Sequence, residues 1–252
     1  MDRTHPHWLL AAALLWVFVL SCAKSATQSS QSVPSDSLVR RVERIIEEKK
    51  RLEEFRQRYL PRDFWEKIEA YYPVIRKYSK RYGIDWRLIV AQILKESRFK
   101  EHARSHKGAV GLMQIMPYTA RDITRELDYE YITRDPRENI TAGIYYLYKQ
   151  LQYFPEADPP NRIRLALAAY NAGVGRVLDA QDIARFLGKD PNTWKAVREC
   201  LPLLTSDHWQ LHLEVWEQGI PNYGYFYGYK ETIDYVDDIY QTYQILKKML
   251  AP

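Results

Sequence analysis

The sequence predicts a mainly α-helical domain with an N-terminal helical extension, and three observations carry that expectation. Apolar residues recur at three- and four-residue steps in one segment after another. These segments stop at glycines and prolines placed as helix ends. Strand patterns are scarce, and the only plausible strand pair lies in 97–116. Among 252 residues, 46% are hydrophobic and 27% charged, with 10 glycines and 13 prolines, which excludes a mainly disordered, collagen-like or low-complexity chain.

Taken in order, residues 1–21 read as a leader: Arg3, then an apolar run of about 13 residues over 8–20. A membrane span needs about 20 residues, so the run fits the core of a secretory signal instead. Residues 22–35 hold Cys22 and a Ser-, Thr- and Gln-rich linker. Residues 36–60 place Leu38, Val42, Ile45, Leu52, Phe55 and Tyr59 on one helical stripe, ended by Pro61. Lys49 interrupts that stripe, which favours a helix lying on the domain over a long coiled coil. Residues 61–252 then read as one domain. Helices are expected near 63–82, stopped by Gly83, and from a cap at Asp85 to about Glu96. Others are expected near 118–127, 136–153, 161–171, 177–187, 191–204 and 230–250.

Charge and special residues narrow the class. Thirty-seven basic against 32 acidic side chains leave a net charge of +5, which favours anionic partners without choosing among them. No run of consecutive basic residues resembles a nucleic-acid tail, and a secreted protein is not expected to bind nucleic acid. Twenty tyrosines suit either core packing or a surface that stacks on flat rings. Of the two cysteines, Cys200 sits in an apolar setting as a small buried residue, so no disulfide framework is expected. His208 and His212 have helical spacing but no HExxH pattern around them, and neither a metal nor a cofactor is expected.

The residues that could carry chemistry lie in four segments. Glu96 follows Ile89 and Ile93 on an apolar stripe and sits at a helix C-terminus. Burial and the helix dipole both disfavour its charged form and raise its pKa. A protonated glutamic acid is what a poor leaving oxygen needs. Taken alone this is a weak signal, since a glutamate at a helix end is far more often a solvated surface residue. The segment Ser105 to Pro117 puts small residues before an apolar run holding one amide, Gln114. Ala168-Ala169-Tyr170-Asn171-Ala172-Gly173 is a small-residue helix with a glycine stop, and Glu231-Thr232-Ile233-Asp234-Tyr235-Val236 opens the last helix.

Together and in this order, the segments resemble the catalytic domain of the soluble lytic transglycosylases. The matching motifs are Glu96-Ser97, Gly111-Leu112-Met113-Gln114 with Ile115-Met116-Pro117, Ala169-Tyr170-Asn171-Ala172-Gly173, and Glu231-Thr232 with Tyr235-Val236. Asp135-Pro136-Arg137-Glu138-Asn139-Ile140 before Ala142-Gly143 fits as well. The resemblance covers about residues 70–250 and is nearest to the F-type membrane-bound lytic murein transglycosylases. Two departures stand out. Residues 23–60 are too short for the solute-binding-like domain usual in F-type enzymes, and Arg98-Phe99-Lys100-Glu101-His102-Ala103 lacks the family's commoner Asn-Pro.

The resemblance implies a lysozyme-like helical fold of the goose-type/SLT kind with a glycan cleft, acting as a monomer on peptidoglycan strands. It implies cleavage of the β-1,4 bond from N-acetylmuramic acid to N-acetylglucosamine, leaving 1,6-anhydro ends. Glu96 would be general acid and then base, so a second catalytic carboxylate is not required. Ser97, Ser105, Gln114, Met116, Tyr170, Asn171, Glu231 and Tyr235 match substrate-side positions. Glu231 reads equally as a charge pairing with its own helix N-terminus. Tyr223-Gly224-Tyr225-Phe226-Tyr227-Gly228-Tyr229 either borders the cleft or packs around the last helix. A goose-lysozyme-like hydrolase and a non-catalytic wall-binding lipoprotein remain alternatives. Val19-Leu20-Ser21-Cys22 resembles a bacterial lipobox, which implies lipidation at Cys22. The protein would then be a periplasm-facing lipoprotein of the bacterial cell envelope, and Ala23 favours the outer membrane.

Overall fold

The computed structural model describes residues 35–250 except 128 and 130; the leader, Cys22 and most of the linker lie outside the described residues. Helix α1 spans Ser35–Tyr59. The chain divides into two compact units, one up to Lys49 and one from Lys50 on. In the first, Leu38, Val39, Val42, Ile45 and Ile46 are all exposed. In the second, burial starts at Phe55, whose ring stacks on Tyr59 at 5.2 Å, and continues at Leu60.

Helix α2 (Phe64–Tyr82) ends at Gly83, whose φ of 66° is a left-handed conformation that only glycine takes without strain. Helix α3 (Trp86–Glu96) starts where the Asp85 carboxylate accepts the Arg87 backbone N–H at 3.0 Å. Every residue from Leu88 to Leu94 is buried. A helix covered all round belongs at the centre of a domain, where its sequence shows little amphipathic contrast.

The other central element is α6 (Pro159–Ala172), buried from Leu165 through Ala169. Its alanines let neighbouring helices come close. It packs against α5 (Pro136–Gln152), α7 (Val174–Phe186) and α10 (Tyr229–Met249), while α10 also packs along α3 and α5 packs on α2. Asp135 and Asp158 cap α5 and α6 with their side chains, each with proline in the first turn. Helix α4 (Pro117–Leu127) lies between the 97–116 segment and α5.

The expected helix over 191–204 is two elements: α8 (Trp194–Cys200) and a 3-10 turn, Leu201–Leu204, where Pro202 removes a helical N–H. A second 3-10 turn (Ser206–His208) and α9 (Trp209–Val215) follow, and neither was read from the sequence. Cys200 is fully buried. The expected strand pair is absent: among the described residues there is no strand, and 97–116 holds only the antiparallel bridges Arg104–Val110 and Val110–Ile115.

Candidate active site

Glu96 is the last residue of α3, and the chain reverses at once behind it. Arg98 and Phe99 both take positive φ (52° and 60°), which costs roughly 1 kcal/mol or more each for residues bearing a Cβ. The buried Phe99 ring anchors the reversal by packing edge-on to Phe64 at 5.9 Å. This is the stretch where the resemblance lost its Asn-Pro.

The Glu96 side chain is half-buried and accepts a 2.6 Å hydrogen bond from the Tyr235 hydroxyl of α10. Burial pushes its pKa up from the usual 4.5 to about 7, against the opposing pull of Tyr235 and of the neighbouring Lys95. Lys95 is itself paired with Asp238 of α10 at 2.5 Å. At neutral pH the carboxyl is therefore poised between its acid and base forms. Tyr235 is 4% exposed, and its phenol also accepts a 3.1 Å bond from the Gln92 amide.

The 103–116 segment is held in shape by one buried side chain, Asn139 of α5. Its Oδ1 accepts from Met113 N at 2.8 Å, and its Nδ2 donates to Val110 O and Ile132 O at 3.1 and 3.0 Å. Gly111 has a φ of 81°, and a Cβ there would lie 2.5 Å from the Asn139 amide. Gly143 leaves room for Met113 in the same way. Gln114 takes a φ of 48° and donates its amide to Ala103 O and Gly111 O.

Around this segment, sequence-selected residues converge. Gln114, Met116, Tyr170 and Asn171 line one cavity of about 130 Å³ together with Tyr118 and Tyr146. Tyr170 donates to Met113 O at 2.8 Å and packs edge-on against Tyr146 at 4.9 Å. Burial and the Glu96 charge hold its hydroxyl far above the ordinary phenol range. Thr232 of α10 donates to Asn171 Oδ1 at 2.8 Å, which ties α10 to the end of α6.

The remaining selected residues stand differently. Ser97 is buried and its hydroxyl donates back to Ile93 O at 3.3 Å. Ser105 is exposed in its loop and accepts from Ala109 N. Glu231 is exposed and pairs with Lys107 at 3.3 Å, bridging that loop to α10. The tyrosine-rich segment alternates: Tyr223, Tyr225 and Tyr227 face outward while Phe226 and Tyr229 pack on the core. Tyr223 lies over Gly175, its backbone oxygen accepts from Arg176, and its N–H donates to Asp179 at 3.0 Å. Tyr227 bonds Ser206 and Tyr225 faces His212, so the segment is fastened along its length.

Two residues of the site were given no role from sequence, although Asn139 lies in the matching 135–140 segment. Asn139 had a usable signal, because asparagine is a poor interior helix residue and invites a specific bond. Gln92 had none that a single sequence reveals.

Comparison with known proteins places this geometry. Residues 73–192, which include Glu96, Gln114, Tyr170 and Asn171, match the Transglycosylase SLT domain family. Over 188 residues the chain is 39% identical to membrane-bound lytic murein transglycosylase F of Desulfosudis oleivorans, covering 73% of this chain and 38% of that one. It is 34% identical over 177 residues to membrane-bound lytic murein transglycosylase F 1 of Alkalilimnicola ehrlichii, covering 69% and 33%. The chain thus spans little more than a third of the length of these relatives. Among solved structures, the 70 kDa soluble lytic transglycosylase of Escherichia coli superposes with a TM-score of 0.51 at 25% identity, over 72% of this chain and 24% of that one. The fold is lysozyme-like and helical, and residues 73–192 of the chain carry a Transglycosylase SLT domain.

Proposed function

We propose that the protein is a peptidoglycan lytic transglycosylase that cuts the N-acetylmuramic acid to N-acetylglucosamine β-1,4 bond and leaves 1,6-anhydro ends. The observation that carries this is Glu96, whose proton is held at neutral pH by burial and whose carboxylate is received by Tyr235. In the first step Glu96 gives its proton to the glycosidic oxygen as the C1–O bond breaks and the bonding pair leaves with that oxygen. In the second, the muramic 6-hydroxyl attacks C1 and its proton passes to the Glu96 carboxylate, which restores the acid. One group with a pKa near the working pH serves both halves. The substrate's own hydroxyl replaces a second carboxylate through its high effective concentration. Tyr170 and Gln114 would contact the reacting sugar from the cavity they share with Met116 and Asn171.

Mass spectrometry of a sacculus digest tests this reading. Anhydro-muramoyl ends are expected; reducing ends carrying labelled oxygen from water would make the protein a lysozyme-type hydrolase instead. We also infer that Cys22 is acylated and that residues 23–35 tether the domain to the bacterial envelope, at the outer membrane. What supports this is the lipobox-like end of a short apolar leader. Among the described residues no helix is long and apolar enough to cross a membrane.

A further inference from the structure

Gln92 is the one polar side chain in the buried run Leu88 to Leu94, and it is completely inaccessible to solvent. Among the described residues its only hydrogen bond is from Nε2 to the Tyr235 hydroxyl at 3.1 Å, and its Oε1 is buried without a partner. Leucine would fill this space and leave nothing unpaired, so the polarity of this position serves one contact. That contact lies one turn before Glu96, on the same face of α3.

The bond has a direction. An amide N–H can only donate, so the Tyr235 hydroxyl cannot give its proton to Gln92. The proton goes to the other neighbour of that oxygen, Glu96 Oε1, at 2.6 Å. We propose that Gln92 is a positioning residue for this site: its amide holds the Tyr235 hydroxyl in the one orientation that donates to Glu96. The two bonds form a chain in which each polarises the next, and removing the first weakens the second. This rests on Glu96 as the acid–base group proposed above.

The other groups facing Glu96 do not duplicate this function. Lys95, on the same helix, acts through its charge and is engaged by Asp238 of α10. Tyr170 of α6 feels the Glu96 charge but gives its proton to Met113 O, with Tyr146 of α5 packed beside it. Tyr235 is thus the one hydrogen-bond donor to Glu96 among the described residues.

The test is a carboxyl 13C NMR titration of the full chain labelled at glutamate, with the Glu96 signal assigned by its loss in Glu96→Gln. Gln92→Leu keeps the volume and should fold, and it is expected to raise the Glu96 midpoint by a few tenths to about one pH unit. In a Tyr235→Phe background the same substitution should add no shift. A midpoint unchanged by Gln92→Leu, or a shift of equal size without the Tyr235 hydroxyl, would overturn the proposal. The basic limb of lysis rate against pH, read on purified sacculi, should move upward with the midpoint. If the midpoint moves and the limb does not, the Gln92–Tyr235 coupling stands and Glu96 loses its place as the acid.

Discussion

At the residue scale the decisive quantity is where Glu96 keeps its proton. A carboxyl titrating near 4.5 in the unfolded chain and near 7 in the folded one binds an extra proton on folding between those values. Its contribution to stability is therefore full below about 4.5 and is lost as pH rises through about 7. Glu96→Gln removes that dependence at nearly equal volume. At pH 8 the variant should be more stable than the parent by up to ~3 kcal/mol, less in proportion to the water that reaches the half-buried carboxyl. At pH 4 the two should coincide; melting temperatures at both values check this. Lysis should fall by at least ~10³-fold, roughly 4 kcal/mol of barrier, because the proposed mechanism asks one side chain to fill both the acid and the base role. A folded Glu96→Gln protein with near-normal activity would remove Glu96 from the chemistry. Glu96 was legible because its residue type, its apolar stripe and its helix end can all be read locally. Tyr235 was singled out as a substrate-side residue, but its pairing with Glu96 and Gln92 was not legible, because those bonds join positions 139 and 143 residues apart and a single sequence does not reveal who faces whom.

Among the elements, the 103–116 segment depends on α5 more than on itself. Gly111→Ala meets two obstacles, a positive φ and a Cβ pressed to 2.5 Å from the Asn139 amide. Asn139→Ala leaves Met113 N, Val110 O and Ile132 O without their buried partner. Each substitution should cost on the order of 2–4 kcal/mol in denaturant unfolding and lower lysis as Gln114 and Met116 lose their setting. The aromatic segment after α9 should behave in the opposite way. Tyr223, Tyr225 and Tyr227 are exposed, so alanine at each should raise KM on sacculi more than it lowers the melting temperature. Unchanged kinetics at all three would leave them a packing role alone. The longer helices were legible element by element, α3 from its cap at Asp85 and its apolar run; Asp135 and Asp158 cap α5 and α6 through equally local contacts, although the sequence reading did not name them as caps. Helix α9 was not, since seven residues span barely two turns and give no period to detect. The 97–116 segment misled for a different reason: Ala109, Val110, Leu112, Met113 and Ile115 make a short apolar run like that of a buried strand, but the run is a loop held by Asn139.

For the whole molecule, the proposed anchor makes a prediction separate from the chemistry. Cys22→Ser should release or misprocess the protein; a variant that still fractionates with membranes and still incorporates labelled palmitate would refute acylation at that cysteine. The intact domain should lyse sacculi equally well once freed, because the residues that meet at Glu96 all belong to the unit from Lys50 on. The way α10 closes that unit also bears on timing. The hydroxyl that receives the Glu96 carboxylate comes 139 residues later in the chain, and the threonine that ties down Asn171 comes 61 residues after it. Synthesis therefore delivers the proposed acid long before the groups that tune it. Until α10 has been made and docked along α3, Glu96 lacks the Tyr235 hydrogen bond, and the proposed acid–base pair is incomplete.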